Sequence, residues 1–270
     1  MEELSREPHE HIMCFLAAWV ASDASYMLFP LADGDLHHFL AQTPPPPVPS
    51  DVLNWLLSQM IGICDAIRYV HEHVSSDDQG RPTRRIGFHH DLKPANILLF
   101  RSDRADRAVW KLGDFGSGAT MFVDPGSQEE LYNRKASTGD PVYSAPEYVV
   151  LGKVSRPKDV WGLGCIFLEV LIWALTPEAG AIERFEKARG KYSRDNPDNA
   201  PVYWCQDSEG RPYINLAVVE HIQSLQLQTR TDSGACFQSV LSITETMLAI
   251  NAEERPTAAR LCERFKDIQQ

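Results

Sequence analysis

The sequence has 270 residues, of which 43% are hydrophobic and 23% charged, and its formal net charge is -11 at pH 7. This composition is typical of a globular protein of one large or two small domains, long enough to bury a sizeable core. The acidic balance argues against a general binder of nucleic acid or of anionic membranes, because both require a basic face, but it is compatible with a basic protein substrate.

The cysteines and the apolar segments indicate an intracellular protein. The six cysteines lack the paired spacing of metal ligands, and most lie in apolar runs, so reduced core thiols are expected. No charged-then-apolar signal segment is found at the first residues. The longest apolar run, residues 160–175, is short for a membrane span and contains Glu169, which favours a buried helix. We therefore predict a cytoplasmic location and leave a nuclear one open.

The first part of the chain predicts a hairpin after a frayed helix end. Residues 1–10 are polar, and we interpret them as the end of a helix. Two apolar runs, residues 13–20 and 26–31, flank a short polar turn, and this pattern predicts two paired β-strands.

A rigid connector, a long helix and a polar loop are predicted next. Residues 44–47 are four successive prolines, which indicate an exposed spacer or a segment for a proline-binding domain. Ser50 or Asp51 then caps a core helix whose apolar residues recur at intervals of three and four. Residues 75–85 are polar and contain a glycine and a proline, which predicts a mobile surface loop.

The central stretch, residues 87–116, carries the polar side chains that indicate chemistry. Its apolar runs, residues 97–100 and 109–112, flank a polar turn and predict a second hairpin. Four polar residues lie at the open end of this hairpin: Asp91, Lys93, Asn96 and Asp114. Phosphoryl transfer needs a carboxylate for the hydroxyl proton, a cation beside the phosphate and oxygen ligands for Mg²⁺. The four residues supply these groups.

The run His-His-Asp-Leu-Lys-Pro-Ala-Asn at 89–96, followed by Asp-Phe-Gly at 114–116, resembles the catalytic motifs of the protein kinase family. Each motif alone is compatible with an ordinary loop or turn, but both occur here in order around a hairpin. The resemblance implies that Asp91 orients or deprotonates the substrate hydroxyl, and that Lys93 steadies the transferred phosphate. It also implies that Asn96 and Asp114 hold Mg²⁺. Lysine two places after the aspartate is the serine/threonine pattern.

The resemblance also implies a fold and a division of the chain. The fold is α+β and protein-kinase-like, with a mostly helical large lobe, a catalytic β-hairpin and only a remnant of the β-rich small lobe. Residues 1–32 are the remnant of the small lobe with the hinge, and residues 33–270 are the large lobe. Within the large lobe, the catalytic loop covers residues 87–100 and the activation segment residues 114–147.

Several residues are implied to bind ATP. The carbonyl of Phe29 and the N–H of Leu31 would hold the adenine. Asp35 is placed to accept from a ribose hydroxyl, with a solvated turn aspartate as the alternative. Leu98 and Asp114 complete the implied nucleotide-binding set.

Three residues outside the catalytic stretch are implied to support it. Glu147 is expected to pair with Arg255, which would tie the activation segment to the last helices; the alternative is an exposed, unpaired Arg255. Asp159 is expected to accept N–H bonds from the catalytic loop, or to cap its own helix. Helical spacing is also seen in the C-terminal part of the chain, at residues 181–190, 216–225, 237–250 and 257–268.

Two positions depart from the family pattern. His90 stands where the family has an arginine that can clamp a phosphate, so we predict activity that does not depend on phosphorylating the activation segment. Asp140, two residues after Thr138, stands where the family has a threonine, and its carboxylate is expected to compete with Asp91 for Lys93.

The glycine-rich loop, the strand lysine and the helix glutamate of a complete kinase do not occur in these 270 residues. Losing one such donor commonly lowers the rate by a factor of about 10²–10³, and losing both the lysine and the loop is expected to lower it further. The loss of these parts is also expected to leave strands 13–29 with an open edge and a bare apolar face. Sequence upstream of Met1 would supply these parts if the chain is a fragment.

The predicted function is that of a protein serine/threonine kinase that transfers the γ-phosphate of Mg-ATP to the hydroxyl of a protein substrate. No nucleic acid or membrane partner is expected. The alternative is a catalytically impaired pseudokinase that acts as a binding or scaffold module. A small-molecule phosphotransferase is a third possibility, which Ala145, Pro146, Glu147, Asp159 and Trp161 fit less well.

Overall fold

A computed structural model describes most of the chain between residues 9 and 269. The gaps are residues 22–23, 73, 77–81, 103–104, 118, 123–131, 134–138, 194–199 and 231–233. The helix end expected at the start of the chain, the middle of the predicted activation segment and Thr138 therefore lie outside the described residues.

The described residues form helices and short strands in an α+β arrangement. The helices are α1 (Leu36–Gln42), α2 (Ser50–Glu72), α3 (Pro146–Leu151), α4 (Arg156–Leu175), α5 (Ala181–Tyr192), α6 (Leu216–Gln228), α7 (Ala235–Met247) and α8 (Ala258–Gln269). The strands are β1 (Ala17–Ala21), β2 (Ala24–Leu28), β3 (Gly34–Asp35), β4 (Val74–Ser76), β5 (Pro82–Phe88), β6 (Ile97–Ser102), β7 (Ala105–Leu112), β8 (Ala119–Phe122), β9 (Tyr132–Asn133), β10 (Lys153–Val154), β11 (Trp204–Gln206) and β12 (Pro212–Ile214). The predicted α+β class is confirmed.

Helix α4 is the centre of the core. Residues 158–174 are buried without interruption, as expected for a helix that is apolar on every side. Helix α7 packs on α4, while α8 packs along α2. The prediction of a buried helix at 160–175 is confirmed, and so are the helices predicted in the last third of the chain. None of the described helices combines the length and hydrophobicity needed to span a membrane.

Both predicted hairpins are present. Strands β1 and β2 pair antiparallel, and β6 pairs with β7 so that Ile97 lies opposite Leu112. The segment before β1 joins the second hairpin: Leu112 N donates to His11 O and Met13 N donates to Leu112 O, each at 2.8 Å. The β1–β2 hairpin is therefore attached by its backbone to the edge of β7.

The prediction of a loop at residues 75–85 is wrong for the part of this range that the structure describes. Strand β4 pairs with residues 82–84 of β5, and β8 pairs with residues 85–88. Every residue of β5 therefore has a strand partner for its backbone, and this pairing outweighs the glycine and proline signals. Pro82 is the first residue of β5, where a missing N–H is tolerated.

The cysteines are free, but only half of them are core residues. Cys64, Cys165 and Cys262 are buried, as predicted, whereas Cys205 is half-buried. The two that remain, Cys14 and Cys236, are exposed.

Gly62 on α2 leaves room for the ring of His11. A Cβ at position 62 would lie 2.1 Å from His11 Nε2, and His11 Nδ1 is held at 2.8 Å from Trp110 O. We expect Gly62→Ala to lower the free energy of unfolding by about 1–3 kcal/mol, although alanine is the better helix former. Urea unfolding measures the loss. The matched control is Asn54→Ala on the exposed side of α2, and equal stability of the two variants would contradict the prediction.

Candidate active site

Asp91, Lys93 and Asn96 are in direct contact at the start of β6. Lys93 Nζ lies 2.9 Å from Asp91 Oδ2. Asn96 Nδ2 donates to the same oxygen at 3.1 Å and to the Asp91 carbonyl at 2.7 Å. Asn96 ends the 3-10 turn that leads into β6, and its two bonds to Asp91 hold its side-chain amide in place. Three of the predicted site residues therefore form one hydrogen-bonded group.

Asp114 reaches the same place along β7. Gly113 N donates to Asn96 O at 2.9 Å, so Asp114 follows directly on a backbone contact with the turn. Asp114 is exposed, and its Oδ1 accepts from Gly116 N at 3.2 Å. Its φ is 52°, in the left-handed region. Such a conformation costs a non-glycine residue about 1–3 kcal/mol and is concentrated at functional sites.

The charge of Asp91 is stabilised from three sides. Its Oδ1 accepts from the backbone N–H of Asp140 at 3.0 Å, in addition to the bonds from Lys93 and Asn96 to Oδ2. Burial alone would raise the pKa of Asp91, but these donors outweigh burial and hold the pKa below its ordinary value. Asp91 is therefore an ionised carboxylate at neutral pH and a weak base, which suits it to orient a hydroxyl group by accepting its hydrogen bond.

Lys93 is the cation of the site. Burial would lower the pKa of Lys93, but the hydrogen bond to Asp91 and the charges of Asp91, Asp140 and Asp114 raise it above its ordinary value. Lys93 is thus protonated at neutral pH.

Asp159 on α4 binds the backbone of His89 and His90, within the predicted catalytic loop. One carboxylate oxygen accepts from His89 N at 2.9 Å, and the other accepts from His90 N at 3.0 Å. His71 Nε2 lies 2.9 Å from the first of these oxygens. Burial would raise the pKa of Asp159, but the bond to His71 and the nearby histidines hold it well below its usual range. The expected bonds from Asp159 to the loop are confirmed, and no capping bond to its own helix is described.

The ring of His89 joins the two halves of the site, a role that the sequence did not predict. His89 Nε2 donates to Gly113 O at 2.8 Å, so the residue two before Asp91 binds the residue before Asp114. Burial lowers the pKa of His89, although the neighbouring carboxylates oppose this, and the ring is neutral. The histidines at 89 and 71 carry no sequence signal for these partners, since the contacts depend on strand and helix packing.

Asp140 does not compete with Asp91 for Lys93 in the way that we predicted. Its Oδ1 accepts from Val142 N at 3.0 Å and caps the 3-10 turn Pro141–Tyr143. Lys93 makes its ion pair with Asp91 instead. The N–H of the turn that follows binds the carboxylate at this position. Asp140 therefore acts on Lys93 only through its charge.

The predicted nucleotide-binding residues fall in two groups. Asp35 lies opposite Leu98 in the pairing of β3 with β6, and Leu98 Cδ1 is 2.8 Å from where a Cβ of Gly113 would be. Leu98 lies on the central strand of the sheet β3–β6–β7, so it separates Asp35 on β3 from Asp114, which follows β7. Asp35 Oδ1 accepts from a backbone N–H of α1 and caps that helix.

The hinge residues lie at the end of the first hairpin. The ring of Phe29 packs edge-on against Phe15, with 6.0 Å between ring centroids. Leu31 is 95% exposed. The adenine contacts of Phe29 and Leu31 stay a prediction.

The pair of Glu147 and Arg255 is confirmed. Arg255 Nη1 and Nη2 donate to the two carboxylate oxygens of Glu147 at 2.7 and 2.8 Å. The guanidinium is fully buried and also donates to three backbone carbonyls, those of Ala249, Pro157 and Ile250. The end of the predicted activation segment is thus fixed to the C-terminal helices.

Comparison with known proteins agrees with these features. U-box domain-containing protein 51 of Arabidopsis thaliana is 30% identical over 270 residues, covering 93% of this chain and 31% of that protein. The meiosis induction protein kinase IME2/SME1 of Saccharomyces cerevisiae is 27% identical over 237 residues, covering 78% of this chain and 33% of the relative. The serine/threonine-protein kinase Nek3 of Mus musculus is 28% identical over 169 residues, with 62% and 28% coverage.

The chain spans about a third or less of the length of these relatives. The family model for the protein kinase domain matches residues 1–265, nearly the whole sequence. With the α+β fold and the loop and hairpin described above, this match shows that the chain belongs to the protein kinase family.

Proposed function

We propose that this chain transfers the γ-phosphate of ATP to a serine or threonine hydroxyl of a protein substrate. The observation that carries the proposal is the hydrogen-bonded group of Asp91, Lys93 and Asn96, with Asp114 one residue beyond a backbone contact to it. Lysine two residues after the aspartate, and the relative Nek3, which is named as a serine/threonine-protein kinase, support this acceptor class.

Each residue has a role that its surroundings support. Asp91 is ionised and weakly basic, so it orients the acceptor hydroxyl and takes its proton late in the transfer. Lys93 is a positive charge beside that carboxylate and stabilises the negative charge of the moving phosphate. Both side chains are already in position before the substrate binds, which lowers the activation free energy of the transfer.

Asn96 and Asp114 fit a Mg²⁺ ion that is bound together with the nucleotide. Asn96 uses Nδ2 to bind Asp91, and the remaining amide oxygen, Oδ1, is the kind of ligand that would hold a hard cation. Among the described residues there is no cluster of three or more His, Cys, Asp or Glu side chains able to hold a metal. Two protein ligands are nevertheless the usual number for Mg²⁺ that is also held by phosphate oxygens and water. When bound, the ion neutralises charge on the phosphates.

The proposal is tested with labelled ATP and a generic basic protein as acceptor, with and without Mg²⁺. We expect Mg²⁺-dependent labelling of serine or threonine, identified after hydrolysis of the acceptor. Calorimetric titration with ATP separates nucleotide binding from transfer. The absence of transfer would contradict the proposal, whether or not ATP binds.

A second candidate function, a protein-binding module without turnover, is favoured by the β1–β2 hairpin. Its apolar side chains are exposed on both faces: Trp19 (49%) and Tyr26 (46%) stack on one face, and Val20 (74%) and Met27 (57%) lie on the other. An apolar surface of this kind is typical of a contact with another protein. Binding of Mg-ATP without transfer would support this candidate over the first.

Removing the charge of Asp140 is expected to speed the reaction. Asp140→Thr keeps a side-chain oxygen that can cap Val142 N, while it removes a negative charge next to Asp91 and the incoming phosphate. We expect kcat to rise severalfold, since a unit charge about 4 Å away in water is worth about 1 kcal/mol. Asp140→Asn is the control that removes the charge alone. An unchanged or lower rate in Asp140→Thr would contradict this role.

A cytoplasmic location is part of the proposal. It is supported by six cysteines that are free of disulfides, three of them buried. The division into a small-lobe remnant at 1–32 and a large lobe at 33–270 is also a proposal, and it rests on the resemblance to the protein kinase family.

A further inference from the structure

Lys158 is a buried cation beneath the catalytic loop, and the roles given above do not use it. It lies in the first turn of α4 and is 4% exposed. Its Nζ donates to His90 O at 2.5 Å and lies 4.1 Å from the ring centroid of Tyr148. Lysine is almost never this buried unless its ammonium has partners, so a site is built around it.

Lys158 and its neighbour Asp159 hold opposite ends of one residue. Asp159 accepts from His90 N at 3.0 Å, and Lys158 donates to His90 O. His90 has a φ of 74°, a left-handed conformation that is strained for a residue with a side chain. A strained residue keeps its conformation only where its surroundings hold it, and these two side chains from one helix turn do so. The next residue in the chain is Asp91.

The same ammonium faces the end of the predicted activation segment. A Cβ at Gly139 would lie 3.7 Å from Lys158 Nζ, and Tyr148 on α3 is the residue directly after that segment. Burial lowers the pKa of Lys158, while the charges of Asp159, Asp91 and Glu147 oppose the shift. Lys158 is therefore placed between the catalytic loop and residues 139–148.

We propose that Lys158 is a positioning residue that fixes the His90 carbonyl, and thereby Asp91, against the end of the activation segment. The role in catalysis rests on the proposed function, whereas the effect on the loop does not require turnover.

The test compares Lys158→Met, which removes the donor at similar length, with Lys158→Arg, which keeps donors and charge. Hydrogen exchange of the peptide covering residues 88–92 reports on the loop without any need for activity. We expect exchange about tenfold faster in Lys158→Met, because His90 O loses its partner, and at least partial recovery in Lys158→Arg. Lys187→Met, on the exposed side of α5, is the matched control and is expected to leave exchange unchanged.

Kinetics give the second readout. In an active protein, Lys158→Met is expected to lower kcat by about tenfold or more and to leave KM for ATP within about twofold, because a displaced Asp91 affects the transfer step. Lys158→Leu, which also removes the donor, replaces the methionine variant should that one not fold. Unchanged exchange at 88–92 in a folded Lys158→Met or Lys158→Leu would overturn the proposal. Failure of the wild-type chain to transfer phosphate would overturn the proposed function, while the exchange comparison still decides the role of Lys158 in the loop.

Discussion

Asp91→Asn is expected to lower kcat for phosphate transfer by about a hundredfold or more, with ATP affinity changed by no more than a few-fold. The range corresponds to the loss of one positioned group that handles a proton. The carboxylate has three donors around it: Lys93 Nζ, Asn96 Nδ2 and Asp140 N. An amide in its place offers only one oxygen to these donors and cannot take a proton from the substrate.

The measurement is steady-state transfer of labelled phosphate, with calorimetric titration of ATP to follow binding. Asp207→Asn is the control, since Asp207 is also a carboxylate that accepts from a basic side chain and from backbone N–H groups, but on the surface. It is expected to leave kcat unchanged. Transfer by Asp91→Asn within tenfold of the wild-type rate would show that another group handles the substrate hydroxyl.

Arg255→Met is expected to lower the free energy of unfolding by about 3–5 kcal/mol, the usual loss when one partner of a buried ion pair is removed. The guanidinium is fully buried, and its bonds to Glu147 and to three carbonyls are lost together. It also lies 5.0 Å from the ring centroid of Trp161. Without it, Glu147 keeps a carboxylate that is largely shielded from water and has lost its cation.

Urea unfolding measures this loss, and a second variant separates the ion pair from the packing. Arg255→Met combined with Glu147→Leu is expected to be more stable than Arg255→Met alone, because no unpaired carboxylate remains. The control is Arg260→Met, which removes the arginine of an exposed pair with Glu263 and is expected to change stability by less than about 0.5 kcal/mol. A loss below about 1 kcal/mol in Arg255→Met would contradict the prediction.

Features with a local signal could be predicted from the sequence. The hairpin of residues 97–112 follows from two apolar runs around a polar turn, and the buried α4 from an apolar segment too short for a membrane. The motif residues Asp91, Lys93 and Asn96 are close in the chain, so a single turn brings them together. Glu147 and Arg255 are 108 residues apart, and only the family resemblance linked them.

Features that depend on packing could not be predicted. Strand β5 is polar in sequence, but β4 pairs with its first part and β8 with its second part, and no local pattern reveals these partners. The sequence suggested that the Asp140 carboxylate competes with Asp91 for Lys93, whereas this carboxylate caps the turn that follows it. The contacts of His89 and Lys158 with distant backbone carbonyls have no signature in spacing or composition.

Leu112 connects the β1–β2 hairpin to Asp114, the proposed metal ligand. Its N–H and C=O are both bonded to the segment that leads into β1, and Asp114 is only two residues further along the same backbone. Moving that segment must either break both bonds or shift the end of β7. A protein that docks on the β1–β2 hairpin and displaces it would therefore also displace the Asp114 carboxylate, through the backbone of residues 112–114.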